Sequence, residues 1–239
     1  MRIAALMTAK GNNTLSRKNL LPVSGHPLMW YPASAARHCK SITEFYASSD
    51  SDEILNLCQD LGYEPIHRPD YLALPTSLHA DAINHALGII KEKTGGYPDL
   101  LIVLLGNTVF LKTKWLSEAI EILQQYPDIT AVTPAYKEQD NHPFRARKMD
   151  KSGCLIPYFD FAEATISTNR QDLPDNYFFS HNFWALRLEN GHLPSEGHQP
   201  WTFMGKKVRP LIIEEGFDVH TAEDIAKCEQ WLEHNNIFE

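Results

Sequence analysis

Near the start of the chain an apolar run, Ile3-Ala4-Ala5-Leu6-Met7, passes into the polar stretch Thr8-Ala9-Lys10-Gly11-Asn12-Asn13-Thr14-Leu15-Ser16-Arg17-Lys18-Asn19. Gly11, Asn12 and Asn13 are residue types that tolerate the tight, positive-φ backbone of an anion-cradling turn, and Lys10, Arg17 and Lys18 set fixed positive charge beside it. Backbone N–H groups and cations at the C-terminal end of a first strand suit a nucleoside triphosphate. A single glycine is weak evidence, and composition alone favours an ordinary strand–helix loop with solvated lysines. A second concentration of chemistry lies at His142-Pro143-Phe144-Arg145-Ala146-Arg147-Lys148-Met149. Arginine offers a bidentate fork to a carboxylate, so this stretch suits an acidic ligand; a solvated strand face of alternating charge explains it equally well.

The first loop continues as Lys18-Asn19-Leu20-Leu21-Pro22-Val23-Ser24-Gly25-His26-Pro27-Leu28. Together with Ala9 and Gly11, the residues Lys18, Asn19, Gly25, Pro27 and Leu28 resemble the opening of the cytidylyltransferases that make CMP-activated acidic sugars. The chain departs from that opening in Lys10 for an arginine and in Asn12-Asn13 for Gly-Ser. Further matches follow in the family's order: Ser49-Asp50-Ser51-Asp52-Glu53-Ile54, then Arg68-Pro69, Leu72-Ala73, Ser77, Asp81-Ala82-Ile83 and His85-Ala86-Leu87. Leu105, Thr108, Leu111 and Thr113 come next, then Arg170-Gln171 with Pro174 and Tyr177, and Asp218 ahead of Thr221-Ala222-Glu223-Asp224-Ile225. Relatives carry a glutamine where this chain has Gly106, and a second aspartate where it has His220.

The resemblance implies a single cytidylyltransferase domain over residues 1–239, with a substrate and dimerisation subregion at about 136–185. It implies transfer of CMP from CTP to a sialic-acid-like nonulosonate, with release of pyrophosphate and formation of a CMP-sugar for surface glycan synthesis. On this resemblance Lys10, Lys18 and Asp218 are catalytic, and Lys10, Gly11, Asn12, Lys18, Asn19, Arg68 and Ser77 bind the nucleotide. Thr108, Lys112, Arg145, Lys148, Arg170 and Gln171 meet the acceptor, Asp218 and His220 hold magnesium, and the protein is a homodimer. An imidazole beside a hard cation weakens magnesium binding or admits manganese. Gly106 points to an acceptor other than an ordinary sialic acid, a phosphonate included. The altered loop and His220 also leave open a nucleotide-binding relative without turnover. Read without the resemblance, Arg68 is a surface arginine, Ser77 a helix N-cap, and His79 and His85 are structural.

These residues need a scaffold, and the chain alternates short apolar runs with helical patterns, without a repeat or a low-complexity segment. That alternation predicts an α/β fold: a three-layer, mostly parallel nucleotide-binding sheet of the nucleotide-diphospho-sugar transferase kind. The resemblance adds a small antiparallel, dimerising insertion. Strands are expected at Ile3–Met7, Ile42–Ala47, Glu64–His67, Asp99–Leu105 (central), Thr130–Pro134 and Val208–Ile213. Helices are expected from Pro27 to Cys39, from the acid-rich Ser49 segment to Gly62, around Asp81–Leu87, from Trp115 to Gln124 and after a Thr221–Asp224 capping box. The net charge of −8 argues against nucleic acid or an anionic membrane as partner. Four widely spaced cysteines, no signal-peptide pattern and no long apolar stretch predict a cytoplasmic protein.

Overall fold

The structure, a computed structural model, describes residues 1–11, 15–162 and 165–238. Its main sheet has the order β10-β7-β11-β6-β1-β4-β5, with β12 paired to β7 along the opposite edge from β11. These strands are β1 (Ile3–Thr8), β4 (Glu44–Ser49), β5 (Glu64–His67), β6 (Leu100–Leu105), β7 (Ala131–Lys137), β10 (Tyr177–Phe179), β11 (Phe183–Arg187) and β12 (Val208–Ile212). β1 runs parallel to both β4 and β6, so the two most apolar strands sit side by side in the middle of the sheet. β11 enters antiparallel between β6 and β7, and from there the simple strand–helix rhythm gives way to a mixed sheet.

Both faces of the sheet are covered, which is why the central strands read as unbroken apolar runs. Ile3, Ala5 and Met7 point to the face packed by α1 (Trp30–His38), α2 (Asp52–Asp60) and α4 (Thr113–Gln125). Ala4 and Leu6 point the other way, to α3 (His79–Thr94) and to Trp184, Leu186 and Phe203. Burying a side chain such as Ile83 or Leu87 is worth roughly 1.5–3 kcal/mol, so this double layer fixes where β1 and β6 end. A third apolar cluster joins α5 (Glu223–His234), through Cys228 and Trp231, to Val109, Phe110, Val219 and Tyr31. It draws the C-terminal segment back to the end of β6.

Two small hairpins were not apparent from periodicity. β2 (Pro22–Val23) and β3 (His26–Pro27) are joined by Ser24 (φ 43°) and Gly25 (φ 88°). Two successive left-handed residues close a tight hairpin with the twist that strands favour. Pro27 therefore pairs in a strand, and α1 starts at Trp30 instead of Pro27. Within the predicted insertion, β8 (Arg147–Met149) and β9 (Leu155–Pro157) form an antiparallel pair whose residues are all exposed.

Candidate functional site

An open cleft lies at the C-terminal ends of β1 and β6, the end of the sheet where small molecules are bound. Its walls include Lys10, Lys18, Asn19, Arg68 and Ser77, which the sequence nominates for the nucleotide, Gly106, which it connects with the acceptor, and Thr8, His79 and Asn107, which it does not nominate. Ligands of open α/β sheets bind at this end of the strands.

At one end the loop after β1 brings two lysines into the cleft. Burial lowers the pKa of Lys18, Lys10 lowers it further, and Asp218 opposes both, so the three groups share one electrostatic neighbourhood. Asn19 is buried, and its amide donates to the Lys10 carbonyl at 2.9 Å while its own carbonyl accepts from Met29 N–H. Its role is thus to tie the loop down around Lys10. Gly11 is present for want of space and not for a left-handed backbone: a Cβ there would come 2.8 Å from Ser51 Cβ. Its N–H donates to Asp50 Oδ1 at 3.0 Å and is committed within the protein. Arg17 adopts φ 52° and pairs with Glu53, outside the cleft lining. Asn12 lies outside the described residues.

The other end is built from β4, the loop after β5 and the start of α3. Arg68 is only 6 % exposed, so it is not the surface arginine that the residue type suggests. Its Nε donates to Ser48 Oγ at 3.2 Å and its Nη2 to the Ser48 carbonyl at 2.8 Å, and burial lowers its pKa. Ser77 does not cap α3. Leu78 occupies that position, and the Ser77 hydroxyl donates to the Tyr71 carbonyl at 2.6 Å. His79, expected to be structural only, lines the cleft with its Nε2 2.9 Å from Thr8 Oγ1 and its ring edge-on to Trp184.

Asp218 is positioned by the junction between β6 and the segment before α5. Asn107 Nδ2 donates to Asp218 Oδ2 at 2.8 Å, and Val219 N–H donates to the Asn107 carbonyl at 2.8 Å. His220 Nε2 lies 3.2 Å from the same Oδ2. The imidazole thus meets the carboxylate that it was expected to join in holding a metal. Among the described residues no group of three or more His, Cys, Asp or Glu side chains is arranged to hold a metal ion. What the chain offers is one hard donor, the Asp218 carboxylate, with Oδ2 engaged by two neighbours. That set fits magnesium, which binds through one or two carboxylates and completes its shell from substrate phosphates and water. Asp224, in the first turn of α5, is separate: its Oδ2 accepts from His220 N–H, Thr221 N–H and the Thr221 hydroxyl, and these bonds pull its pKa down.

Gly11, Asp218 and His220 adjoin the cleft without being part of its lining, and the remaining nominated residues do not line it either. Thr108 is fully buried, and its hydroxyl donates to the Phe217 carbonyl and accepts from Phe110 N–H, which makes it a structural tie. Lys112 precedes α4 and lies over the Trp231 ring. Arg145 and Arg147 border a separate depression with Phe144 and Phe161, Lys148 lies over Tyr158, and Arg170 pairs with Asp140. Gln171 sits in the exposed turn with Arg170. Arg145, Lys148, Arg170 and Gln171 all lie in the segment read as an insertion, apart from Thr108 and Lys112 near the end of β6. His79 and Asn107 were missed because their partners, Thr8 and Asp218, are remote in sequence.

The sequence pattern of the family described as cytidylyltransferase matches residues 11–169. By sequence the chain is similar to the 8-amino-3,8-dideoxy-manno-octulosonate cytidylyltransferases of Shewanella oneidensis (24 % identical, 97 % of this chain and 99 % of the relative covered) and Shewanella sp. strain ANA-3 (23 %, 97 % and 99 %). By fold it is similar to a CMP:2-keto-3-deoxy-manno-octonic acid synthetase complexed with CTP (TM-score 0.69, 14 % identical, 98 % of this chain and 99 % of the other covered). It is also similar to a 4-diphosphocytidyl-2C-methyl-D-erythritol synthase from Anaerococcus prevotii (TM-score 0.64, 14 %, 98 % and 96 %). The family pattern and the cleft coincide on the loop after β1 and on Arg68 and Ser77, and the chain belongs to the cytidylyltransferase family as a CTP-dependent nucleotidyltransferase.

Proposed function

We propose that this enzyme transfers CMP from CTP to the anomeric hydroxyl of an acidic sugar of the nonulosonate and octulosonate kind. The hydroxyl oxygen attacks the α-phosphorus, the bond to the β-phosphate oxygen breaks, pyrophosphate leaves, and the hydroxyl proton is lost to solvent or base. Such phosphoryl chemistry needs positioning and charge neutralisation more than covalent help. The observation that carries the reading is a single cleft with Lys10 and Lys18 at one end and the buried Arg68 at the other. The lysines would hold the triphosphate and Arg68 the nucleoside. Asp218, fixed by Asn107, would anchor magnesium, which supplies charge neutralisation at the phosphates. The octulosonate acceptor follows the names of the relatives over nearly the full chain.

Gly106 bears on the acceptor. A Cβ there would meet Ala9 Cβ and Met29 Cβ at 3.3 Å, so the cleft wall at this point is backbone and presents no side chain to a sugar. The protein is proposed to work in the cytoplasm as a homodimer. Among the described residues no helix is long and apolar enough to cross a membrane. The test is pyrophosphate release from CTP and magnesium with a panel holding 3-deoxy-manno-octulosonate, its 8-amino-8-deoxy form, N-acetylneuraminate and a phosphonate. Release with an octulosonate is expected. Release with the phosphonate alone, or CTP binding without release for any acceptor, overturns the proposal.

A further inference from the structure

The Thr8 hydroxyl has one hydrogen, and it is directed to the Leu104 carbonyl at 3.1 Å. A carbonyl can only accept, so Thr8 Oγ1 must accept from His79 Nε2, 2.9 Å away. That fixes the proton of His79 on Nε2. The ring is also kept neutral: burial, then Arg68, Lys10 and His181, push its pKa down to about 4, and its place in the first turn of α3 acts in the same sense. A neutral Nε2–H imidazole leaves Nδ1 as a bare acceptor. Among the described residues nothing donates to Nδ1, and it is not one of the buried atoms without a partner, so it keeps some exposed surface on a side chain that lines the cleft.

The neighbours of His79 make this acceptor informative. Arg68 uses Nε and Nη2 on Ser48, and among the described residues Nη1 has no hydrogen-bond partner. This end of the cleft therefore offers a cationic donor and a neutral acceptor, with Leu72, Leu78 and Ala82 as apolar walls. A pyrimidine presents a carbonyl at position 2 to such a donor whether it is cytosine or uracil. The two differ at position 4, where cytosine carries an amino group that donates and uracil an oxygen that only accepts.

We propose that His79 is the specificity-determining residue for the base: Nδ1 accepts from the 4-amino group of cytosine, and the Thr8–Leu104 chain of hydrogen bonds holds it in that role. Opposite uracil, two acceptors face each other and the pairing is lost. The inference rests on the cleft being the nucleotide site. A site built around one neutral hydrogen bond discriminates by about tenfold, and by more when the wrong partner leaves a buried acceptor opposed.

The experiment is titration calorimetry with CTP, UTP, 2′-deoxy-CTP and the triphosphate of the 2-pyrimidinone ribonucleoside, which is cytidine lacking the 4-amino group. Wild type should bind CTP about tenfold or more tightly than the 2-pyrimidinone analogue, and UTP no better than the analogue. In His79→Ala the gap between CTP and the analogue should close, while the ratio of CTP to 2′-deoxy-CTP stays as in wild type. A gap that persists in His79→Ala, or a substitution effect that follows the 2′-hydroxyl instead, overturns the assignment to the base and leaves the nucleotide site standing. Wild type binding none of the four overturns both. Nitrogen NMR of the histidines in wild type needs no variant: Nδ1 of His79 should read as unprotonated in the free protein and shift on adding CTP but not UTP. A protonated Nδ1 also overturns the proposal.

Discussion

Lys18 holds its charge against both burial and the neighbouring Lys10, and a bound triphosphate would relieve that opposition. Lys18→Ala should therefore weaken CTP binding by about 10- to 100-fold, the range for hydrogen bonds to charged groups, with little change in melting temperature. Calorimetric titration beside a thermal melt checks both halves. His79 behaves in the opposite sense to a paired histidine. Between pH about 6.5 and about 4 the unfolded chain takes up a proton that the folded chain refuses at this site, so stability falls as the pH drops through that window. The contribution is on the order of 1–3 kcal/mol, and chemical denaturation of His79→Gln across the same window should give a flatter profile. His220 shares Asp218 Oδ2 with Asn107. Replacing it with aspartate would put a second hard oxygen beside the first, so His220→Asp should raise magnesium affinity and reduce any preference for manganese. Magnesium and manganese titrations that overlay those of wild type would mean that His220 contributes nothing to the cation site.

The loop after β1 owes its path to the opening of α2, where Asp50 accepts from Gly11 N–H and Ser51 leaves no room for a Cβ. Gly11→Ala should lower stability by about 1–3 kcal/mol through overpacking and weaken CTP binding with it. Adding Ser51→Gly removes the obstructing carbon and should recover most of both losses; a double variant no better than the single one would locate the strain elsewhere. The elements themselves divide by how much of them a sequence shows. β1, β6, α2 and α4 were legible because five or more successive residues carry one burial pattern, and the order of matching segments carried the family. β2, β3, β8 and β9 have two or three residues each, too few for any period to register. Within the cleft, lysines and an arginine announce themselves by type. Asn107 and His79 acquire meaning only through Asp218 and Thr8, and no local pattern encodes either pairing. Arg145 and Lys148 show the converse: adjacent charges read as one site in the sequence, and the fold sets them on an exposed turn and hairpin away from the cleft lining.

For the whole molecule that hairpin and the residues after it are a concentration of exposed apolar side chains. Met149, Leu155, Ile156, Tyr158 and Phe159 are exposed on β8, β9 and the residues that follow, and Met149 and Leu155 each keep about 70 % of their surface. An apolar surface of this kind on a folded protein marks an interaction site, and the proposed homodimer gives it an occupant. Leu155→Asp with Ile156→Asp should shift wild-type dimer to monomer by analytical ultracentrifugation without lowering the melting temperature of the subunit. A wild-type protein that sediments as a monomer at all concentrations refutes the arrangement.

The tie between Asn107 and Asp218 spans 111 residues, and Thr108 and Phe217 repeat it one step along each chain segment. During synthesis β1, β4 and β6 can therefore pair long before Asp218 is made, because residues 217–219 and α5 follow every strand of the sheet in the chain. A nascent chain released early would carry the lysines, Arg68 and His79 on a nearly complete sheet, yet have neither Asp218 nor the α5 packing that covers Phe110. A chain terminated between the end of β12 and Phe217 would thus keep the loop after β1 and the whole sheet while lacking the proposed metal carboxylate, which ties competence for the proposed turnover to synthesis past α5.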